Sequence, residues 1–233
     1  MMPKVLVMTD DEYIWCLRPF TFVFNHYWGE DQQVVVGGYN YPPFPLPRNF
    51  TFHSIATKKW PIKMWSDGMI KLFDELPDSH YVFMLVDYWL TRPVNVCAVE
   101  AAYEYMKNLR VIRFDLTTPI GVHDIDTYGC YDITESPHRT GFRFNEQVGI
   151  WNIKLVNTIL RPGLDPWGLE FYMTDNMKEE DRVLGMRQHP VRYVNVLSHG
   201  KINDEQISQV PTPILQSIID QGMIPKGFPH YPG

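Results

Sequence analysis

Apolar positions in the first half of this chain switch repeatedly between two periods. Short unbroken apolar runs alternate with stretches spaced three and four apart, the pattern of strands alternating with helices around a parallel sheet. Residues 5–9 (Val-Leu-Val-Met-Thr) read as a buried strand, followed by Asp10-Asp11. A helical stretch over 14–28 comes next, and Pro19 within it predicts a late start or a kink. Residues 33–36 are a second expected strand, stopped by Gly37-Gly38. Pro42, Pro43, Pro45 and Pro47 then hold an extended loop out of any sheet interior, and 51–56 are a third strand. Ser66 is placed to cap a helix whose Met69, Leu72, Phe73 and Leu76 share one face, with Pro77-Asp78 ending it. Residues 81–86 are the clearest strand, followed by a helix over 95–107 with Val99, Ala102, Tyr103 and Met106 inward, then a strand over 111–114. Such strand, helix, strand units in one sheet run right-handed and make a parallel core.

Beyond Asp115 the periodicity weakens. Residues 115–145 are polar and rich in Thr, Gly and Asp, with short strands expected at 128–133 and 141–144 as an antiparallel ribbon. Leu155, Val156, Ile159 and Leu160 predict a helix stopped by Arg161-Pro162-Gly163. Pro166-Trp167 opens a short helical segment through Glu170, 192–196 read as a late strand, and 213–221 as a helix with Gly222 in the left-handed position after it. No repeat or linker divides the chain, so the expectation is a single α/β domain.

Length fits that picture, since 233 residues suffice for one large core. Hydrophobic residues make up 45% and aromatics 14%, which excludes a disordered, coiled-coil or collagen-like chain. A net charge of -6 means that no global positive field gathers nucleic acid or acidic lipid, so any phosphate ligand must be held locally. Cys16, Cys97 and Cys130 lack the spacing of a structural zinc site, and their odd number suits a reduced compartment; Cys16 and Cys97 fall in helical stretches and are expected in the core. The apolar runs, of which 82–86 is the longest, are too short for a secretory or membrane segment, so a cytoplasmic protein is expected.

Candidate chemistry clusters at strand ends, where ligands bind in open parallel sheets. Asp10 and Asp11 follow the first strand and Asp87 the clearest one. Carboxylates there can hold Mg²⁺ or Mn²⁺ together with the oxygens of a diphosphate, or can simply cap the next helix. A second group is the Gln147 to Trp151 block with the run from Arg161 to Glu170. Trp151 and Trp167 offer flat faces to a sugar ring, and Glu170 can accept a hydroxyl proton or stabilise its own helix start. In Ser198-His199-Gly200-Lys201 a metal-ligating imidazole stands beside a cation suited to phosphate. Tyr88-Trp89 adds rings to a strand-end loop. No G-x-S-x-G elbow, P-loop or G-x-G-x-x-G occurs.

In order and spacing, the chain resembles nucleotide-sugar glycosyltransferases of the GT-A type, particularly small bacterial and phage-like members. The resembling residues are the first strand through Thr9-Asp10, Trp65-Ser66-Asp67, the YVFMLVDYWL run ending at Leu90, the Gln147 to Trp151 block, Pro166-Trp167-Gly168-Leu169-Glu170, and 194–201. The resemblance implies a Rossmann-like GT-A fold, a mostly parallel sheet flanked by helices with a small antiparallel ribbon. It implies a nucleotide-sugar half over 1–114 and an acceptor half over 115–233. Thr9, Asp10 and Asp67 become donor contacts, Asp87 the metal and diphosphate residue, His199 a further metal ligand, and Lys201 a diphosphate contact. Trp89, Trp151, Trp167 and Glu170 fall to the sugar and acceptor. Relatives commonly carry two acids where Val86-Asp87-Tyr88-Trp89 carries one, which bears on the need for Mn²⁺ or Mg²⁺. The implied reaction moves a sugar from a nucleotide diphosphate, UDP favoured, to a hydroxyl of a glycan or of a hydroxymethylated DNA base; for the latter, Lys58, Lys59 and Lys63 would meet the backbone. A nucleotidyltransferase-like Rossmann enzyme and a non-catalytic sugar-binding module are the competing readings.

Overall fold

The computed structural model describes residues 2–117 and 122–230; Met1, part of the polar 115–145 stretch at 118–121, and 231–233 lie outside them. Strand β1 (Lys4–Met8) is apolar at every position after Lys4 because helices cover both faces of its sheet. Val5 and Val7 face one layer, with Phe20 and Phe24 of α1 (Leu17–Tyr27), while Leu6 and Met8 face the other, with Met69 and Leu72 of α2 (Trp65–Glu75). A 3-10 turn at Ile14–Cys16 precedes α1, so Pro19 sits in the first helical turn, where its missing N–H costs nothing.

Strands β2 (Val34–Gly38) and β3 (Phe50–Ser54) extend the sheet on one side of β1, and β4 (His80–Leu85) pairs with β1 on the other, all parallel. After the short β5 (Tyr88–Leu90), α3 (Val96–Met106) starts on Asn95, whose side chain accepts from the Ala98 N–H. Strand β6 (Val111–Asp115) leads to the hairpin of β7 (His123–Tyr128) and β8 (Tyr131–Glu135). Next come β9 (Gly149–Asn152), α4 (Ile153–Ile159), α5 (Pro166–Asn176) and β10 (Arg182–Met186). Then β11 (Tyr193–Asn195) pairs antiparallel with β5, and β12 (Leu197–Ser198) turns back on β13 (Lys201–Ile202). The short α6 (Asp204–Ile207) and α7 (Thr212–Asp220) follow, with Gly222 at φ +58 as the periodicity predicts.

Among the described residues the main sheet has nine strands in the order β3-β2-β1-β4-β9-β6-β10-β8-β7, mostly parallel, with β9 antiparallel at its centre and the β7–β8 hairpin at one edge. The α/β expectation therefore stands, with corrections. The ribbon is formed by 123–135, and 141–144 is a turn rather than a strand. Strands β9 and β10 are central, though the sequence marked neither as a strand. Ser66 lies inside α2, and its Oγ accepts from the Leu164 N–H at 2.9 Å instead of capping the helix. Cys16 is buried as expected, but Cys97 is exposed. No helix among the described residues is long and apolar enough to cross a membrane.

Candidate active site

The chain leaves β1 to build β2 and β3 on one side, then crosses to place β4 on the other. The connections diverge at that point, so a crevice opens past the carboxyl ends of β1 and β4. Asp10 and Asp87 each lie two residues beyond their strand's end. A cavity of about 570 Å³ occupies the crevice and brings together Thr9, Asp10, Asp87, Trp167, Glu170 and His199. Six of the residues singled out from sequence, drawn from positions 9 to 199, thus share one wall.

Each carboxylate there has a different role. Asp10 is spent on structure: Oδ1 accepts from the Glu12 and Tyr13 N–H groups, and Oδ2 pairs with Lys59 Nζ at 3.1 Å. These bonds close the turn at 11–13; neither the 3-10 turn after it nor α1 has a side-chain cap, so the helix-capping alternative is not met either. Asp11 holds the Asn40 backbone and side chain. Lys59 also binds Glu12 at 2.8 Å. Asp87 is half-buried in the turn between β4 and β5, whose backbone is fixed by the Val196 N–H donating to the Asp87 carbonyl at 2.9 Å. Burial first, and the nearby Asp10 charge, push its pKa up to about 7 against the pull of its backbone hydrogen bond.

Glu170 sits in the second turn of α5, a helix started by Asp165 accepting from the Gly168 N–H at 2.7 Å. Its Oε1 accepts from the Glu146 N–H at 2.7 Å. Burial raises its pKa, while that hydrogen bond and the buried Arg113 hold it back. Glu146 was not anticipated. It is 4% exposed in the same cavity, accepts from Trp65 Nε1 at 2.8 Å, and is pushed up to about 8 by burial, with the Glu170 and Asp87 charges adding to the rise. The polar Asn145-Glu146-Gln147 triplet ahead of an apolar strand was the signal that could have marked it.

His199 reaches the cavity on the β12–β13 hairpin. Its two-residue turn has His199 at φ +49 and Gly200 at φ +74, the doubly left-handed geometry of tight hairpins. A Cβ on Gly200 would lie 2.8 Å from the Tyr13 hydroxyl oxygen, so the turn needs glycine for both space and conformation.

Other expected residues lie elsewhere. Alternation along β5 turns Tyr88 to the cavity and Trp89 into the core, where it is fully buried. Trp151 is fully buried in β9 with its ring 3.9 Å from that of Phe83, so it cannot touch a sugar. Asp67 accepts from the Gly163 N–H at 2.8 Å and pins the loop before α5, away from the cavity wall. Lys201 is exposed beside the wall but not part of it. Trp167, 63% exposed, keeps the surface position expected of it.

A second cavity of about 590 Å³ adjoins the first and shares Gln147, Glu170 and Asn195 with it. Its own wall adds Asn145, Gln206, Arg192 and the rings of Phe142 and Tyr193. Tyr193 donates to Gln147 Oε1 and stacks on Tyr88 with centroids 4.4 Å apart. Beneath this floor Arg113 is fully buried, pairs with Asp115, and donates to the Gln147 carbonyl at 3.1 Å.

The first cavity's wall carries four carboxyl groups and no Lys or Arg. A diphosphate would need a cation there. Among the described residues no group of three or more His, Cys, Asp or Glu is placed to hold a metal. Asp87 and His199 nevertheless supply oxygen and nitrogen donors on one wall, leaving other positions to phosphate oxygens and water, which is how Mg²⁺ and Mn²⁺ are commonly held.

No protein-family model and no curated protein matches the chain. Solved structures do. TarS of S. aureus, residues 1–349, aligns with a TM-score of 0.52 at 13% identity over 83% of this chain and 60% of that one. A further TarS structure gives 0.54 at 12% identity over 94% and 40%. The glycosyltransferase GlyE of Streptococcus pneumoniae TIGR4 gives 0.47 at 7% identity over 96% and 64%. The chain thus spans 40% to 60% of the TarS chains it matches. Its fold is GT-A-like, the fold of glycosyltransferases.

Proposed function

We propose that this protein transfers a sugar from a nucleotide diphosphate, UDP being the favoured carrier, to a hydroxyl of a glycan. The observation that carries the reading is Glu170, which lies on the wall shared by two adjoining cavities. One cavity, at the strand-end crevice, suits the donor; the other, walled by amides and rings, suits the acceptor. A base standing between them is where an acceptor hydroxyl would meet an anomeric carbon.

In this reading Thr9 and the β1 end line the nucleotide, and Tyr88 and Trp167 flank the donor sugar. Asp87 and His199 would hold a divalent cation, which when bound supplies charge stabilisation to the leaving diphosphate. Glu170 takes the acceptor proton on its carboxylate while the acceptor oxygen bonds to the anomeric carbon. The bond from that carbon to the diphosphate oxygen breaks, and its electron pair leaves with the nucleoside diphosphate. One displacement of this kind inverts the anomeric centre. Burial pushes the Glu146 pKa up to about 8, which favours the neutral acid and so lessens the negative charge facing the donor. The Glu146 N–H fixes the orientation of Glu170.

The test is a donor screen: incubation with each common nucleotide sugar, with Mn²⁺ or chelator, scoring nucleoside diphosphate release and the anomeric configuration of the product. Asp87→Ala should abolish release, and Glu170→Gln should slow transfer far more than it weakens donor binding. No turnover with any donor refutes the proposal.

A further inference from the structure

Five large aromatic side chains stand strongly exposed among the described residues, and three of them, Phe142, Trp167 and Phe171, gather beside the site. Trp167 and Phe171 lie four residues apart on α5 and so share a face of that helix, with Glu170 between them in sequence. Phe171 meets Phe142 with ring centroids 4.9 Å apart. Since Trp167 lines the donor cavity and Phe142 the adjoining one, the strip runs along both cavities and continues outward over Phe171.

Phe142 is held there against its own backbone preference. Its φ of +53 is left-handed, a region costly for a bulky residue and favourable to glycine. The surroundings fix it: Asn145 Nδ2 donates to the Phe142 carbonyl at 3.1 Å, Asn145 Oδ1 accepts from the Gln147 N–H, and the Phe144 N–H donates to Thr174 Oγ1. A strained, pinned loop that presents a ring 46% exposed has no explanation in core packing. Around it the cavity wall offers the amides Asn145, Gln147, Asn195 and Gln206, which pair with hydroxyl groups, and a single cation, Arg192. Rings with amides suit neutral sugars; a phosphate backbone would ask for more positive charge.

We propose that the acceptor is an oligosaccharide chain, its terminal sugar in the amide-lined cavity and the preceding units stacked along Phe142 and Phe171. This rests on the glycosyl-transfer reading above and adds the acceptor class to it. The experiment is a glycan array of immobilised oligosaccharides from one to about eight units, probed without donor by the wild type, Phe142→Gly and Phe171→Ala, with melting temperature and light scattering on each variant. The wild type should bind chains better than single sugars. Each variant should lose about fivefold in chain affinity. Phe142→Gly should melt no lower than wild type, because glycine relieves the backbone. A stacking role is overturned if the wild type binds no chain, if single sugars bind as well as chains, if both variants bind like wild type, or if losing a ring changes the oligomeric state. Donor turnover in the wild type is scored separately: turnover with no chain preference refutes this inference alone, and chain binding with no turnover refutes the transfer reading alone.

Discussion

Replacing Glu146 by Gln should make the protein more stable at alkaline pH, by a margin that shrinks as pH falls and vanishes below about 4.5. The folded state lifts this carboxyl from its ordinary 4.5 to about 8, chiefly by burying it. Between those values the folded chain keeps a proton that the unfolded chain releases, so stability falls as pH rises; below 4.5 both states are protonated and above 8 both are ionised. At 1.36 kcal/mol per pH unit the full loss is about 5 kcal/mol. Glutamine resembles the protonated acid in shape, and its amide oxygen can still accept from Trp65 Nε1, which lies 2.8 Å from Glu146 Oε1. Urea unfolding at pH 5, 6, 7, 8 and 9 should therefore give wild type and variant stabilities that differ by about 1 kcal/mol at pH 5, about 2 kcal/mol at pH 6 and about 5 kcal/mol at pH 9. Asp87 and Asp115, raised to about 7 and about 6, slope the same way in both proteins and cancel in the difference. Parallel curves across this range would show that Glu146 is solvated and that its place in the site has been misread.

Transfer activity should fall as pH drops, with a midpoint above the ordinary 4.5, because Glu170 must be ionised to act as a base and burial raises its pKa; a kcat/KM profile flat down to pH 5 would exclude that role. Trp151→Ala should cost about 3 to 5 kcal/mol in chemical unfolding, whereas Trp167→Ala should stay within about 0.5 kcal/mol yet weaken donor binding in calorimetry. Arg113→Leu leaves Asp115 buried without its cation and should destabilise by about 3 to 5 kcal/mol; a neutral result would mean that water reaches the pair. Gly200→Ala should lower the melting temperature and weaken Mn²⁺ binding, since a Cβ meets the Tyr13 hydroxyl and the left-handed turn that carries His199 is strained.

What the sequence disclosed depended on how local the governing physics was. Helices α1, α2 and α3 and strands β1 and β4 were legible because their periodicity reflects burial on known faces, and Asn95 and Gly222 mark ends by chemistry that needs only a few neighbours. Thr9, Asp87, Trp167, Glu170 and His199 line one cavity because strand ends and helix starts carry them to the same crevice. Strands β9 and β10 were missed. Each is short, and β9 carries an isolated glycine whose Cβ would meet the Phe114 carbonyl at 2.9 Å, a contact made only once the strand sits between β4 and β6.

The misplaced residues follow from the same cause. Trp89 and Trp151 look like cavity rings until strand alternation and the central position of β9 turn them into the core. Asp67 looks like a ligand residue until a loop nearly a hundred positions away is seen to lean on it. By itself the sequence determined an α/β chain with acids at its strand ends, since hydrophobic period and strand-end chemistry are properties of neighbouring residues. Only the tertiary structure decided that Glu146 joins Glu170 and Asp87, that two cavities meet at Glu170, and which of Trp89, Trp151 and Trp167 lines a cavity. Those facts depend on segments distant in sequence arriving at one crevice, and on burial that no single segment provides for itself.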